Sequence, residues 1–167
     1  MSVLTELYKE IGICQRCDLH KTATKAVPGE GPENAKIMFI GEGPGFNEDQ
    51  QGRPFVGAAG KFLDQLFASI GMKREDVYIT NIVKHRPPEN RDPLPSEISA
   101  CSMWLDRQIE IIHPRMIVTL GRHSMARFFP NKSISKIHGT AEKRDGVIYV
   151  AMYHPAAALH QQNLRYE

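Results

Sequence analysis

The run Lys36-Ile37-Met38-Phe39-Ile40 opens directly into Gly41-Glu42-Gly43-Pro44-Gly45-Phe46-Asn47-Glu48-Asp49, and Gly52-Arg53-Pro54-Phe55-Val56-Gly57 closes the segment. A short, continuous apolar run reads as a strand buried in a sheet. Five glycines in the seventeen positions 41–57 allow tight turns and close backbone approach to a ligand. A loop of this kind at the carboxyl end of a buried strand lines a pocket in α/β folds. A phosphate-binding loop is a poor match. The glycines read G-x-G-x-G, Pro44 and Pro54 interrupt the passage from strand to helix, and no G-K-[ST] ending follows. Glu42, Glu48 and Asp49 would also repel a pyrophosphate. A glycine-rich surface loop without a ligand is the remaining alternative.

Strand and helix patterns alternate along the rest of the chain. Leu4, Leu7, Tyr8 and Ile11 share a helical face, with Ser2 placed as its cap. Phe62, Leu63, Leu66, Phe67 and Ile70 form a second face, ended by Gly71. Residues 77–80 read as a short strand. Ser96 is placed to cap a third helix, whose Ile98, Cys101, Leu105, Ile109 and Ile112 align and which His113-Pro114 stops. Residues 116–120 and 147–152 are further strands, the former followed by Gly121 and a short helix through Phe128. This alternation predicts an α/β fold: a three-layer α/β/α sandwich around a central, mostly parallel four-stranded sheet. At 167 residues, the chain is expected to form one domain over 1–167.

A hydrophobic content of 41% and a charged content of 24% fit a globular protein rather than a disordered or membrane chain. No apolar run reaches membrane-spanning length and the N-terminus lacks a signal-peptide layout, so a cytoplasmic location is expected. A net charge of +2 neither demands nor excludes a nucleic-acid partner. Basic residues gather at Lys84, Arg86 and Arg91 and at Lys132 and Lys136, although solvated faces do the same. Two more loops carry unusual chemistry at strand ends: Thr80-Asn81-Ile82-Val83-Lys84-His85-Arg86-Pro87-Pro88 and Tyr153-His154-Pro155-Ala156-Ala157-Ala158-Leu159. Taken singly, Asn81 reads equally as a turn residue, His154 as a packed histidine and Phe55 as core. Convergence at one edge of one sheet favours a shared role.

These motifs, in this order and spacing, resemble the iron-sulfur uracil-DNA glycosylases, family 4 of the uracil-DNA glycosylase superfamily. The resemblance covers nearly the whole chain. It rests on Cys14-x-x-Cys17, the block 41–57, Thr80-Asn81-Ile82-Val83-Lys84 with Arg86-Pro87-Pro88, Leu120-Gly121, and His154-Pro155-Ala156. It implies a DNA repair hydrolase that flips uracil out of DNA and hydrolyses its N-glycosidic bond, leaving an abasic site. The implied partner is uracil-containing DNA, single- or double-stranded, met by a monomer at the nucleoid. A further helix beyond Glu167 is implied as well.

The resemblance also implies roles. Phe55 stacks on the flipped base. The Asn81 amide accepts from uracil N3–H and donates to O4, where cytosine presents the opposite pattern, so cytosine would leave polar groups unpaired. The backbone from Gly41 to Gly43 approaches the base, and Glu42 faces the place of a thymine methyl. His154 donates to uracil O2 as negative charge develops there. Glu48 holds or activates the water, or stabilises the cationic sugar, with Asp49 a neighbouring candidate. Leu159 is placed as an apolar wedge or as ordinary packing. No catalytic metal is implied.

Cys14, Cys17 and Cys101 are the only cysteines. An odd count without a secretory signal argues against disulfides. The family holds a four-iron cluster on four cysteines, and His85 stands where the third normally precedes Arg-Pro-Pro. Imidazole also ligates iron, and a related branch that traps uracil-DNA covalently has histidine at this place. Cys14, Cys17, His85 and Cys101 are therefore expected to hold a structural 4Fe-4S cluster as a Cys3His site. The same donors suit zinc, and a DNA-facing His85 is the alternative. The trapping branch supplies a rival function, a uracil-DNA binding protein without turnover. That branch carries a basic loop with a nucleophilic histidine after the Lys-His pair. Here residues 86–95 are proline-rich and contain no histidine, which favours turnover. A non-catalytic, metal-stabilised DNA-binding module is the third reading.

Overall fold

Ser2 accepts the Thr5 N–H at 3.1 Å and so caps α1 (Val3–Gly12), which buries Leu4, Leu7 and Ile11. The computed structural model describes residues 1–161. A short α2 (Leu19–Thr22) leads to β1 (Ile37–Gly41) and, through the glycine loop, to α3 (Phe46–Gln51) and α4 (Ala58–Ser69). Then come β2 (Tyr78–Asn81), the long α5 (Pro95–Ile112), β3 (Met116–Leu120), α6 (Arg122–Phe128) and α7 (Ile134–Ile137). The chain continues as β4 (Ala141–Arg144), β5 (Val147–Met152) and α8 (Pro155–His160). The further C-terminal helix implied by the resemblance lies outside the described residues.

The sheet runs β2-β1-β3-β5-β4. The first four strands are parallel, with Gly41 opposite Asn81 and Leu120 opposite Met152. Their carboxyl ends are therefore level, and the three motif loops leave the sheet along one edge. One face of the sheet is covered by α1 and α5 around Leu7, Ile11, Leu105 and Ile117. The other carries α4, with Phe39, Phe67, Ile79 and Val118 in contact. This is the expected α/β/α sandwich. No described helix is long and apolar enough to cross a membrane.

The sheet has five strands rather than four. The extra one, β4, is antiparallel to β5 at the sheet edge. Its sequence Ala-Glu-Lys-Arg is largely exposed, so it shows no apolar alternation. The available signal was the Asp145-Gly146 pair, whose positive φ values of 50° and 84° are those of a tight hairpin turn. The cap of α5 also differs. Pro95 is the first helical residue, and Glu97 accepts the Leu94 N–H at 2.8 Å, leaving Ser96 inside the helix. Gly71 takes φ +73° just past the end of α4, as its position predicts.

Candidate active site

The level strand ends frame a cavity of about 430 Å³ lined by Glu42, Gly43, Glu48, Phe55, Asn81 and His154, among others. That volume is in the range of small-molecule sites. The residues come from five segments, the ends of β1, β2 and β5, α3 and the turn before α4, so the site exists only in the folded sheet.

Asn81, the last residue of β2, is 2% exposed, and its Oδ1 is buried with no hydrogen-bond partner. A buried acceptor in this state costs free energy until a donor reaches it. Gly41 leaves room beside it. A Cβ there would lie 2.5 Å from Asn81 Oδ1 and 2.5 Å from Phe55 Cζ. Phe55 adopts φ 51°, a left-handed conformation unusual for a bulky residue. Arg74 secures it by donating to the Phe55 carbonyl at 2.8 Å and to the Pro54 carbonyl. The Phe55 ring lies near the His154 ring, centroids 5.5 Å apart and 25° from parallel.

His154 precedes α8, and its Nδ1 accepts the Ala156 N–H at 3.0 Å. An amide N–H pointing at Nδ1 requires that nitrogen to be unprotonated, so the proton of the neutral ring sits on Nε2. Burial pushes the imidazole down to about 4, against the opposing pull of the Glu48 carboxylate. At neutral pH His154 is therefore an uncharged donor. Gly121, with φ +94°, makes room for it, since a Cβ there would lie 3.1 Å from His154 Cβ.

Glu48 clasps the glycine loop. Its Oε1 accepts the Gly45 N–H at 3.0 Å, and its Oε2 accepts those of Val56 and Gly57 at 2.8 and 2.7 Å. One carboxylate thus ties the start of α3 to the turn before α4 while lining the cavity. Asp49 points elsewhere. It is 3% exposed and accepts the Thr24 and Lys25 N–H groups, which makes it a structural anchor outside the pocket. Glu42 lines the wall, and burial raises its carboxyl, with His123 opposing.

The profile of the uracil DNA glycosylase superfamily matches residues 28–167. A type-4 uracil-DNA glycosylase from Sulfurisphaera tokodaii is 51% identical, the alignment covering 99% of this chain and 80% of the relative. One from Archaeoglobus fulgidus is 49% identical over 100% of this chain and 88% of its own. Another, from Saccharolobus solfataricus, is 49% identical over 99% and 81%. The chain belongs to the uracil DNA glycosylase superfamily.

This superfamily member has a second, smaller recess. Cys14, Cys17, His85 and Cys101 line it together. Trp104 Nε1 donates to Cys14 Sγ at 3.3 Å, and Arg16 Nε donates to the Ala100 carbonyl at 3.0 Å, so the N-terminal segment is stitched to α5. Burial pushes the Cys101 thiol up to about 11 and raises that of Cys17. Among the described residues, only Glu42, Asp92 and His123 have ligand atoms all within 4.8 Å of one another. No three of the recess ligands are that close. Tetrahedral zinc on thiolates at 2.3 Å would set its ligand atoms about 3.8 Å apart. Three thiols and an imidazole around one recess are a donor set that an iron-sulfur cluster and zinc both accept.

Two features of this superfamily member escaped the residue pattern. Lys84, grouped above with exposed basic residues, is 1% exposed. Its Nζ donates to Thr80 Oγ1, the Asn81 carbonyl and Gln108 Oε1 at 2.7, 2.6 and 2.8 Å. Gln108 Nε2 in turn donates to the Pro28 carbonyl. This polar network backs the Asn81 backbone, and burial pushes the ammonium down to about 7. His123, in the first turn of α6, faces Glu42 at 3.9 Å and Asp92 at 3.5 Å. No local pattern marks a lysine or a histidine for such places; the Lys84–Gln108 contact and both His123 contacts are long-range.

Proposed function

We propose that this chain excises uracil from DNA by hydrolysing the N-glycosidic bond. The observation that carries the reading is the buried, unpartnered Oδ1 of Asn81, held against Gly41 and Phe55 at the back of the cavity. Uracil N3–H is the donor that this oxygen lacks, and the amide NH2 complements O4. Cytosine, an acceptor at N3 and a donor at N4, would leave both polar groups mismatched. The type-4 uracil-DNA glycosylase names of the relatives point the same way.

In this reading the base leaves the stack and lies on the Phe55 ring. The C1′–N1 bond breaks, and its electron pair moves onto the departing uracil. Neutral His154 donates from Nε2 to O2 and stabilises that anion without giving up its proton. The Glu48 carboxylate faces the cationic sugar. Its lone pairs are engaged with three amides, so its charge rather than proton transfer is its main contribution, and a water adds to C1′ and releases a proton to solvent. Cys14, Cys17, His85 and Cys101 would hold a 4Fe-4S cluster, which supplies a structural cross-link between the N-terminal segment, the loop after β2 and α5.

The test is incubation with a uracil-containing oligonucleotide followed by alkaline cleavage. A break at the uracil position is expected. Intact strands despite DNA binding would point to a non-catalytic module. A protein–DNA band that survives denaturing electrophoresis would point to covalent trapping.

A further inference from the structure

Beside the cavity, the first residue of α3 and the loop after β2 hold an exposed aromatic and an unneutralised arginine in contact. Phe46 is 57% exposed and is the one exposed phenylalanine among the described residues. It follows Gly45 and precedes Glu48, both of which line the cavity. The Arg86 guanidinium lies over its ring, 5.4 Å from the centroid. Arg86 precedes Pro87 and donates from Nε to Asn90 Oδ1 at 2.8 Å, and Pro87 and Asn90 line the same cavity. The nearby arginines are neutralised, Arg91 by Glu97 and Arg122 by Asp92. Arg86 makes no ion pair among the described residues; its partner is a neutral amide.

We propose that Phe46 and Arg86 form a platform for the nucleotide next to the flipped uridine, with the neighbouring base stacked on the Phe46 ring and its phosphate on Arg86. The inference rests on the uracil-excision reading of the pocket. A strand with one base in the cavity must leave the mouth in both directions, so its neighbouring nucleotides run along this rim. An unpaired base offers a π-face that any aromatic ring can stack on, and a guanidinium without a carboxylate offers its charge to phosphate. The contact involves no base-edge hydrogen bond, so it is indifferent to the neighbouring sequence and requires only that the base be unpaired.

Fluorescence anisotropy reads this contact without turnover if the single-stranded oligonucleotide carries a tetrahydrofuran abasic residue at the uracil position. F46A should weaken binding about 5- to 150-fold, the span of one base–aromatic stack. Removing the bases on both sides of the abasic residue should shrink that penalty to under about twofold. F46W keeps an aromatic face and should bind like wild type. R86Q should flatten the dependence of log affinity on log salt by about 0.7, the share of one phosphate on a single strand. No F46A penalty, an equal penalty on both strands, or equal losses for F46A and F46W would overturn the stack. An unchanged salt slope would overturn the phosphate contact. A wild type that binds as described but never excises uracil would sink the glycosylase reading and leave the platform standing.

Discussion

Glu48→Ala removes the acceptor of three backbone amides at once. Gly45, Val56 and Gly57 donate to the carboxylate at 3.0, 2.8 and 2.7 Å. Hydrogen bonds to a charged group contribute about 1.5–3 kcal/mol each. The cavity is open to water, which would re-solvate part of what is freed, so a total loss of about 3–4 kcal/mol is expected. For a chain of this size that corresponds to a Tm lower by about 6–16 °C. Glu48→Gln separates the clasp from the charge. Its amide oxygen can replace Oε2 and keep the Val56 and Gly57 N–H groups, while its NH2 confronts the Gly45 N–H. The expected cost is about 1–2 kcal/mol, or a Tm lower by about 2–8 °C. Single-turnover excision by Glu48→Gln should nevertheless fall at least about tenfold, because no anion then faces the sugar. Thermal melting and single-turnover kinetics on both variants decide the matter. A Glu48→Ala protein that melts with wild type refutes the clasp. A Glu48→Gln protein that excises at the wild-type rate refutes the role of the charge.

His154→Ala should slow single-turnover excision by about 10²–10³-fold, the cost of one aimed donor. With its imidazole depressed to about 4, the folded protein resists protonation that the unfolded chain accepts near 6.5. The resulting stability is present above pH 6.5 and fades as pH falls towards 4. Excision should likewise show no His154 midpoint near 6.5, and a pH–rate profile with one would contradict the neutral-donor assignment. Gly41→Ala drives a Cβ to 2.5 Å from both Asn81 Oδ1 and Phe55 Cζ, so calorimetry should show a loss of about 1–3 kcal/mol and excision should fall with it. His85→Cys should retain or raise iron content and visible absorbance, with about four irons per chain in anaerobically purified protein; iron loss would remove His85 from the ligand set.

The parallel strands were legible because each is an apolar run between turn signals, and α1 and α5 because their apolar residues recur on one face. The edge strand β4 was not, since an exposed edge needs backbone pairing but no apolar side chains. The pocket was legible at Asn81, Phe55 and His154, residue types whose chemistry suits a base and whose strand-end placement brings them together. Two readings changed with the contacts. Asp49 stood beside Glu48 as a neighbouring candidate, but helical geometry turns it towards Thr24 and Lys25. Lys84 looked like part of a surface patch, yet it lies buried under Asn81. The Asp49 partners, and the Gln108 side chain that meets Lys84, are distant in the chain, which no local pattern encodes.

Uracil recognition through the Asn81 amide is tested most directly by single-turnover release of free base from matched oligonucleotides that differ only in uracil or cytosine, with wild type and Asn81→Asp side by side. Wild type should release uracil and leave cytosine in place, and Asn81→Asp, whose protonated carboxyl offers a different donor pattern, should narrow that ratio. Comparable release of both bases by wild type, or an unchanged ratio in Asn81→Asp, would contradict the account.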